Sequence, residues 1–432
     1  MSAADHAKTI AQYKEYVTTS FVAAVEPIVV AEAEGSMVRD ADGTEYIDCF
    51  AGIAVNNAGH RHPKVIAAVQ DQLTKVVHAA SYIYHVPIVG ELAEKMAKVS
   101  PGRLQKSFFA NSGAEGIETA MRLAKAYTGK RELISLTQSF HGRTYGTLSI
   151  TGNKARKSHG GPYMPGVLWA PMPYTYRNPW GTDDPEVVAA RCADMIEAAI
   201  AYQSSDDVAA FISEAVWGEG GIIVPPDSYF KRVKQILDHH EILFICDEVQ
   251  SGFGRCGSFF AIEQFGVDPD ILVAAKGLAD GFPLAATIAT PEIADSLKPG
   301  EHLSTFGGNP ISCAAASANI DVMLDEKLPE MAAAKGERVL AGLHDLAGRH
   351  PLIGDVRGLG LMIGIELVTD KGTKVPAKAQ AAAVRKYCRE HGVLVGVGGQ
   401  MANVLRLQPP LVISDADLDR AIDVLDAALK HA

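Results

Sequence analysis

The segment "ILVAAKGLADGFP", residues 271–283, places a lysine directly after a short apolar run. Five apolar residues, from Ile271 to Ala275, predict a buried strand, because a short apolar run beside turn signals is typical of a strand inside a sheet. Lys276 stands at the end of that strand. Lysine is rarely buried without a partner or a function. A lone lysine of this kind is more often a surface residue. Whether Lys276 has a function therefore depends on the residues that follow the neighbouring strands.

The composition is that of a globular protein with more than one domain. The chain has 432 residues, of which 47% are hydrophobic and 21% are charged, and this length exceeds what one compact core holds. A formal net charge of -11 disfavours a nucleic-acid partner. No apolar run reaches the roughly 18 residues of a membrane span, and the polar N-terminus lacks a signal-peptide core. Six scattered cysteines without a Cys-x-x-Cys pair are typical of reduced thiols, so we expect a cytoplasmic protein.

Alternating strand and helix patterns predict an α/β fold with a mostly parallel sheet covered on both faces. The predicted strands are KSFFA (106–110), ELISL (132–136), VAAFIS (208–213), EILFIC (241–246) and DILVAA (270–275), with helical stretches such as 184–202 and 227–240 between them. Upstream, residues 37–50 predict a hairpin around a tight Asp42-Gly43 turn. Downstream, residues 310–326 predict a long connecting helix. We therefore predict a large domain at 59–324 and a smaller α/β domain built from both termini, 1–58 and 325–432.

Polar residues follow several of these strands, at the edge where open α/β sheets bind ligands. The first strand leads to "NSGAEG", in which Ser112 and Glu115 match the Ser-x-x-Glu capping box of a helix start. Gly113 and Ala114 leave the first turn without bulky side chains, and such a helix start binds phosphate well. Capping boxes are common, however, so this motif carries weight only together with its neighbours.

Asp247 and Lys276 end two successive strands and together indicate pyridoxal phosphate chemistry. A carboxylate after an apolar run needs a cationic partner, and a protonated pyridine nitrogen would provide it. The same cofactor needs a lysine for its Schiff base, with the lysine pKa lowered by desolvation. Phe140, just after another strand, offers an aromatic face for the ring. Phosphate site, ring partner, aromatic face and imine lysine are the four parts that such a pocket requires.

The sequence resembles the class III aminotransferases, which are pyridoxal phosphate enzymes of fold type I, and within them most of all the 4-aminobutyrate aminotransferases. The resemblance rests on motifs along almost the whole chain: "DGTEYIDCFAGIAVNNAGHRHP", "NSGAEG", "FHGRT", "GEGG", "CDEVQSGFGR", "AAKGLADGFPLAA", "STFGGNP", "VRGLGLMIGIEL" and "LRLQPPLVI". The combination is specific, although single motifs such as "SGAE" would not be.

This resemblance implies a role for each matching residue. Lys276 forms the Schiff base with pyridoxal 5'-phosphate, and Asp247 faces the pyridine nitrogen as the second catalytic residue. The other implied cofactor contacts are Ser112, Gly113 and Ala114 at the phosphate, Phe140 on the ring, Gln250 at the ring oxygen, and His141 and Glu214 in the pocket. Thr305 reaches the phosphate from a partner subunit, which implies a homodimer and leaves a tetramer open. No metal, nucleic acid or membrane is expected to take part.

The resemblance also implies the substrates. Arg143 holds the distal carboxylate, Arg406 takes the α-carboxylate of glutamate, and Glu219 neutralises Arg406 when the donor has none. Arginine suits this task because its fork grips a carboxylate with two bonds. Ile53 lines the same pocket. The implied reaction moves an amino group from 4-aminobutyrate, or a similar ω-amino acid, to 2-oxoglutarate, which gives succinate semialdehyde and glutamate.

Several features keep other readings open. Trp217 stands where the family usually has a glutamine, Gln408 stands where the nearest relatives carry an apolar residue, and "RNPWG" (177–181) is similar to the alanine–glyoxylate branch. An alanine–glyoxylate or ω-amino acid–pyruvate aminotransferase is therefore the main alternative, although that branch usually lacks Arg143 and Glu219. An amino-acid epimerase would keep Lys276 but would need no carboxylate switch. A DNA-binding regulator would need a module larger than the 58 N-terminal residues allow.

Overall fold

The computed structural model describes residues 3–19 and 25–432, so residues 1, 2 and 20–24 of the predicted N-terminal segment lie outside the described residues. The strands are β1 (Val30–Glu34), β2 (Met37–Asp40), β3 (Glu45–Asp48), β4 (Lys106–Ala110), β5 (Glu132–Leu136), β6 (Val167–Ala170), β7 (Val208–Glu214), β8 (Leu243–Asp247), β9 (Ile271–Ala274), β10 (Ala285–Ala289), β11 (Ile353–Leu359), β12 (Met362–Asp370), β13 (Val375–Pro376), β14 (Val393–Leu394), β15 (Gly396–Gly398) and β16 (Val404–Leu407).

The α-helices are α1 (Ala3–Tyr16), α2 (Ala51–Ala54), α3 (Pro63–Leu73), α4 (Pro87–Val99), α5 (Gly113–Thr128), α6 (Tyr145–Ile150), α7 (Pro185–Gln203), α8 (Tyr229–His239), α9 (Pro291–Ala294), α10 (Pro310–Asp325), α11 (Leu328–Arg349), α12 (Lys378–Glu390) and α13 (Asp415–His431), with 3₁₀ helices at Lys154–Arg156, Ala261–Phe265 and Lys276–Leu278. Among the described residues, no helix combines the length and the apolarity that crossing a membrane requires.

A seven-stranded sheet in the order β4-β10-β9-β8-β7-β5-β6 forms the centre of the molecule. Strands β6, β5, β7, β8 and β9 are parallel neighbours, whereas β10 runs antiparallel to both β4 and β9. The prediction of a mostly parallel sheet is therefore confirmed. The pairing of β7 with β8 places Glu214 opposite Asp247, and β8 pairs in turn with β9, which ends just before Lys276. The carboxyl ends of these strands thus converge on one edge.

Strands β6 and β10 were not among the predicted strands. Each has only four or five residues, and β10 reads Ala-Ala-Thr-Ile-Ala, which carries little of the β-branched and aromatic enrichment typical of strands. β10 is buried along its whole length between β4 and β9. Its strand conformation is therefore a consequence of the two neighbours, which local composition does not reveal.

Two further sheets contain the remaining strands. One has the order β1-β2-β3-β14 and the other β11-β12-β16-β15, with β13 paired to β12. Because β14 pairs in parallel with β3 at Ile47 and Asp48, residues from near both ends of the chain share a sheet. The domain boundaries at 58 and 324 stay a prediction.

The loop of the β2–β3 hairpin differs from the predicted tight turn. Arg39 pairs with Glu45 at the end of the ladder, so the loop is longer than a two-residue primed turn. Its backbone is held by Asp40, whose Oδ1 accepts the N–H groups of Asp42 and Thr44 at 3.0 and 2.9 Å. Gly43 alone has a positive φ, of 87°. A side-chain acceptor thus stabilises the wider loop.

Arg255 joins three parts of the chain in the interior. Its side chain is fully buried, and its guanidinium donates to the carbonyls of Leu361 and Pro409 and to Asn57 Oδ1. Asn57 in turn donates to the carbonyl of Phe253 at 2.7 Å. These bonds fix the segment around Asn57 and the C-terminal strands against the large sheet, next to the edge where Lys276 lies.

Candidate active site

A cavity of about 660 Å³ opens at the carboxyl edge of the large sheet. It is lined by many of the predicted site residues: Ser112, Gly113, Ala114, Phe140, His141, Arg143, Glu214, Asp247, Gln250 and Lys276. They come from the ends of β4, β5, β7, β8 and β9, since parallel strands present their carboxyl ends at one edge.

The start of α5 forms one wall of this cavity. Ser112 is the N-cap, and its Oγ accepts the N–H of Glu115 at 3.3 Å. A capping box also requires the Glu115 carboxylate to accept the N–H of Ser112. This part of the prediction is wrong, because the carboxylate accepts the N–H of the preceding residue, Asn111, at 2.8 Å. The first N–H groups of a helix have no intrahelical partner, so those of Gly113 and Ala114 remain for an anion. A Cβ on Gly113 would lie only 2.8 Å from Val249 Cγ1, which explains the glycine.

Asp247 is held from two sides. Its Oδ2 lies 2.8 Å from His141 Nδ1, and its Oδ1 accepts the N–H of Val249 at 3.0 Å. Both the His141 and the Asp247 side chains are buried. Within the described residues, the other ring nitrogen of His141, Nε2, is buried without a hydrogen-bond partner. The carboxylate therefore has a fixed direction.

Glu214 lies beside Asp247 and has a different environment. Burial, and next the charge of Asp247, raise the pKa of Glu214 to about 8. Its two oxygens accept the N–H groups of Phe140 at 2.9 Å and of Gly218 at 2.8 Å. Glu214 thus stabilises the loop that carries the Phe140 ring and the loop that leads to Glu219.

Lys276 begins a short 3₁₀ helix directly after β9. Burial lowers the pKa of Lys276, and Glu219, Asp247 and Glu214 act in the opposite direction. A lysine amine in this environment loses its proton more easily than an exposed one, which suits a group that must act as a nucleophile or a base.

Glu219 forms an ion pair with Arg406: the distance between Glu219 Oε1 and Arg406 Nη1 is 2.6 Å. Its second oxygen, Oε2, lies 3.0 Å from Arg156 Nη2. Burial alone would raise the pKa of Glu219, but Arg406 and Arg156 outweigh it and bring the pKa down to about 2. Arg156 was not among the predicted site residues, because the short 3₁₀ helix that it ends, Lys154–Arg156, carries no recognisable motif.

Arg143 is exposed and faces the same cavity, with its guanidinium carbon 5.6 Å from the centre of the Phe140 ring. Although much of the side chain is exposed, partial desolvation of the guanidinium, and next the charge of Arg156, lower the pKa of Arg143. None of the ion pairs in the described part of the chain involves Arg143. Its charge is therefore available to a ligand.

Gln250 and Gln408 form a buried amide pair. Gln408 Nε2 donates to Gln250 Oε1 at 3.0 Å, which leaves the Nε2 group of Gln250 as a donor toward the cavity. A donor is what a phenolic ring oxygen requires. Gln408, a departure from the family pattern, thus orients a predicted cofactor residue.

Four predicted residues, Ile53, Glu219, Thr305 and Arg406, do not line the 660 Å³ cavity, and of these Ile53 and Thr305 take no part in the ion pair described above. In α2, Ala51, Gly52, Ile53 and Ala54 all have positive φ, and Ile53 has φ 72° and ψ 53°. This is a left-handed turn, which costs energy for a β-branched residue. Ile53 is partly exposed, and within the described chain both Ile53 and Thr305 lie outside the lining of the 660 Å³ cavity.

A family model described as "Aminotransferase class-III" matches residues 20–429. The chain belongs to the class III aminotransferases. The enzyme is therefore a transaminase that depends on pyridoxal phosphate and acts on a small amino donor and a keto acid. The expected fold type I architecture and the expected cofactor are confirmed.

Curated relatives of this aminotransferase have several activities. A 5-aminovalerate aminotransferase of Pseudomonas putida is 42% identical over 94% of each chain, and a probable 4-aminobutyrate aminotransferase of Bacillus subtilis is 38% identical over 93% of each. An acetylornithine aminotransferase of Methanothermobacter thermautotrophicus is 42% identical over 93% of each. An isoleucine 2-epimerase of Lentilactobacillus buchneri is 40% identical over 93% of this chain and 89% of that one.

Among solved structures, a PLP-bound amine transaminase from an uncultivated Pseudomonas species has a TM-score of 0.90 and 34% identity, over 95% of this chain and 97% of that one. The cavity of the present aminotransferase fits pyridoxal phosphate. It combines a lysine amine, a buried carboxylate and a helix start whose first turn has free N–H groups and no bulky side chain. A Cβ on Gly142 would lie 2.7 Å from the Ala114 Cβ, so position 142, beside the helix start, has no room for a side chain.

Proposed function

We propose that this aminotransferase transfers the amino group of 4-aminobutyrate, or of a similar ω-amino acid, to 2-oxoglutarate. The observation that carries the proposal is the buried ion pair between Glu219 and Arg406. A donor such as 4-aminobutyrate has no carboxylate on the carbon that bears its amine. An unpaired Arg406 beside that carbon would be costly in a desolvated site, and Glu219 removes this cost.

The second half-reaction needs the opposite arrangement. Glutamate and 2-oxoglutarate bring an α-carboxylate, which displaces Glu219 and binds Arg406 in its place. Arg143, a cation without an ion pair in the described chain, holds the distal carboxylate in both half-reactions. The relatives named for 4-aminobutyrate and 5-aminovalerate, which differ by one methylene group, support an ω-amino acid as the donor.

The cofactor residues have complementary roles in this proposal. Bound pyridoxal phosphate supplies an electron sink for the amine-bearing carbon. Lys276 would hold the cofactor between turnovers, and its Nζ would move the proton of that carbon. Asp247, oriented by His141, keeps the pyridine nitrogen protonated. Phe140 would supply an aromatic face for the ring, and Gln250 a donor for the ring oxygen.

The remaining cofactor contacts are at the phosphate. The N–H groups of Gly113 and Ala114 bind it at the start of α5, beside the Ser112 cap. Ile53 borders the substrate side of the site.

We further infer that the enzyme is a homodimer in the cytoplasm. Large apolar side chains are exposed around Thr305, namely Ile83 (66% exposed), Tyr84 (66%), Leu303 (59%) and Phe306 (62%). Their two segments touch, because Ser81 Oγ donates to the carbonyl of Gly307 at 3.0 Å. An apolar patch of this kind favours burial by a second copy, which would bring Thr305 to the partner's phosphate site. All six cysteines are free and buried, as expected for reduced thiols.

Arg177 and Trp217 belong to the features that favoured the alanine–glyoxylate branch, and both side chains make packing contacts. Arg177 of "RNPWG" donates to Glu366 Oε1 at 2.5 Å, and Glu366, on β12, also contacts Tyr174 and Arg357. Trp217 is fully buried and stacks on Phe230. Both side chains have packing partners of their own, so neither position needs a different donor to explain it. Gln408, by contrast, contacts the predicted cofactor residue Gln250.

The experiment that tests the proposal is a panel of amines mixed singly with the pyridoxal form of the enzyme. The panel contains 4-aminobutyrate, 5-aminovalerate, N-acetylornithine, alanine and isoleucine, and the loss of the cofactor absorbance band reports each half-reaction. We expect rapid bleaching with the first two. Bleaching by alanine and none by 4-aminobutyrate would favour the alternative branch. A change in the optical rotation of an isoleucine solution to which no keto acid has been added would favour an epimerase.

A further inference from the structure

The carboxylate of Glu219 lies between two arginines that use different oxygens. Arg406 takes Oε1 at 2.6 Å and Arg156 takes Oε2 at 3.0 Å. The two arginines differ in position. Arg406 stands on β16 with 5% of its side chain exposed, whereas Arg156 ends the 3₁₀ helix Lys154–Arg156 with 33% exposed.

Arg406 has little freedom to leave its place. Its guanidinium carbon lies 5.3 Å from the centre of the Phe50 ring. On another side, the position of a Cβ on Gly398 would be 2.7 Å from Arg406 Nε. When a substrate α-carboxylate binds Arg406, the group that yields is therefore Glu219.

We propose that Arg156 is a specificity-determining positioning residue, which retains the Glu219 carboxylate while a substrate α-carboxylate occupies Arg406. This inference rests on the proposed function. It explains how Glu219 can be displaced without becoming a buried charge that has no partner, which would cost far more than the exchange gains. Because each oxygen of Glu219 has its own arginine, the contact with Arg156 can persist when that with Arg406 breaks.

The role is specific to substrates with an α-carboxylate. With 4-aminobutyrate bound, Glu219 contacts both arginines, and loss of Arg156 leaves the essential pair with Arg406 intact. With glutamate bound, Arg156 is the remaining partner of Glu219. A direct contact between Arg156 and a substrate carboxylate would instead affect both donors, since both carry the distal carboxylate.

The test is Arg156→Gln, with Arg156→Lys as the conservative variant and Lys154→Gln, an exposed charge on the same 3₁₀ helix, as the matched control. Single-turnover kinetics of the pyridoxal form are measured with glutamate and with 4-aminobutyrate. In Arg156→Gln we expect the second-order rate constant for glutamate to fall about ten- to hundredfold, the value of one charge-assisted contact, and that for 4-aminobutyrate to change less than about threefold. Arg156→Lys should recover most of the loss, and Lys154→Gln should behave as wild type.

A double-variant cycle separates positioning from folding. In a Glu219→Gln background there is no carboxylate to retain, so adding Arg156→Gln should change the glutamate rate less than about threefold. Equal losses on both donors, an unchanged glutamate rate in Arg156→Gln, or a full further loss in the Glu219→Gln background would each overturn the proposal. If the wild-type enzyme reacts with no amine that lacks an α-carboxylate, the proposed function fails, while the glutamate rates and their coupling to Glu219 still decide the role of Arg156.

Discussion

His141 Nδ1 lies 2.8 Å from Asp247 Oδ2, and both side chains are buried. Together with the bond from the Val249 N–H to Oδ1, this contact fixes the direction of the carboxylate within the large sheet's edge. The carboxylate is thus oriented by the protein itself. A charge that is held in place before the ligand arrives needs no reorganisation during reaction, and such preorganised groups are the strongest electrostatic contributors to catalysis.

Asp247→Asn should retain the cofactor but lose most activity. Without the negative charge the pyridine nitrogen would no longer stay protonated, and the loss of one preorganised partner costs ~3 kcal/mol, or about a hundredfold in kcat. His141→Asn keeps the Asp247 charge but weakens its orientation, and should lower kcat roughly tenfold, about the value of one hydrogen bond to a charged group. Steady-state kinetics with saturating cofactor measure both variants, and a fall below threefold in Asp247→Asn would contradict the assigned role.

Lys276→Ala should bind the cofactor without a covalent bond and should not turn over. The variant lacks the amine that forms the Schiff base and moves the substrate proton. Mass spectrometry after borohydride reduction should show a cofactor adduct in the wild type and none in the variant, and multiple-turnover assays should show no product. Wild-type activity in Lys276→Ala would refute the central assignment.

Glu219→Gln should impair the 4-aminobutyrate half-reaction and spare or improve that of glutamate, because Arg406 loses its neutralising partner. Arg406→Ala should do the reverse, and Arg143→Ala should weaken both. Each lost charge-assisted contact is worth roughly 1.5–3 kcal/mol, or about ten- to hundredfold in the affected rate. Single-turnover kinetics of each half-reaction measure these rates. Equal losses with both substrates in Glu219→Gln would contradict the proposed exchange of Glu219 for the substrate α-carboxylate at Arg406.

Glu248 should make the protein less stable as the pH rises. Burial raises the pKa of Glu248 to about 7, while the unfolded chain ionises near 4.5, so between these values the folded state binds more protons and its stability falls with pH. Glu248→Gln can keep the bonds with Ser251 and the Ile262 N–H but does not titrate. Relative to wild type, the variant should gain roughly 2 kcal/mol between pH 5 and pH 8.

Melting temperatures at pH 5, 6, 7 and 8 measure this effect, with Glu337→Gln, a substitution of an exposed glutamate, as the control. The difference between Glu248→Gln and wild type should grow with pH, and that for Glu337→Gln should stay constant. A constant difference for both variants would show that Glu248 does not titrate in this range.

Phe306→Asp should disrupt the homodimer. A charge in the centre of the apolar patch formed by Ile83, Tyr84, Leu303 and Phe306 would be buried without a partner, which typically weakens an interface by ~2 kcal/mol or more. Tyr202→Asp, a change at an exposed aromatic residue on α7, is the matched control. Analytical ultracentrifugation should show a shift toward monomer in Phe306→Asp only, and an unchanged dimer would place the interface elsewhere.

The class of the fold and the central chemistry could be predicted from the sequence because both depend on local patterns. Lys276 and Asp247 follow apolar runs whose composition alone predicts strands, and the alternation of strands with helices implies that the strands are parallel. Parallel strands bring their carboxyl ends together, so the convergence of these residues followed from the order of elements alone. The resemblance to a family then added roles for residues such as Arg143 and Arg406, which no local pattern distinguishes.

Other features depend on contacts between segments that are distant in the sequence, and these became visible only in the folded chain. Arg156 lies 63 positions from Glu219 and Gln408 lies 158 positions from Gln250, and neither pair leaves a periodic or motif signal. The strand β10 forms because two neighbours pair with its backbone. A sequence pattern records what a residue needs, such as burial or a polar partner, whereas the identity of the partner depends on how separate elements pack against one another.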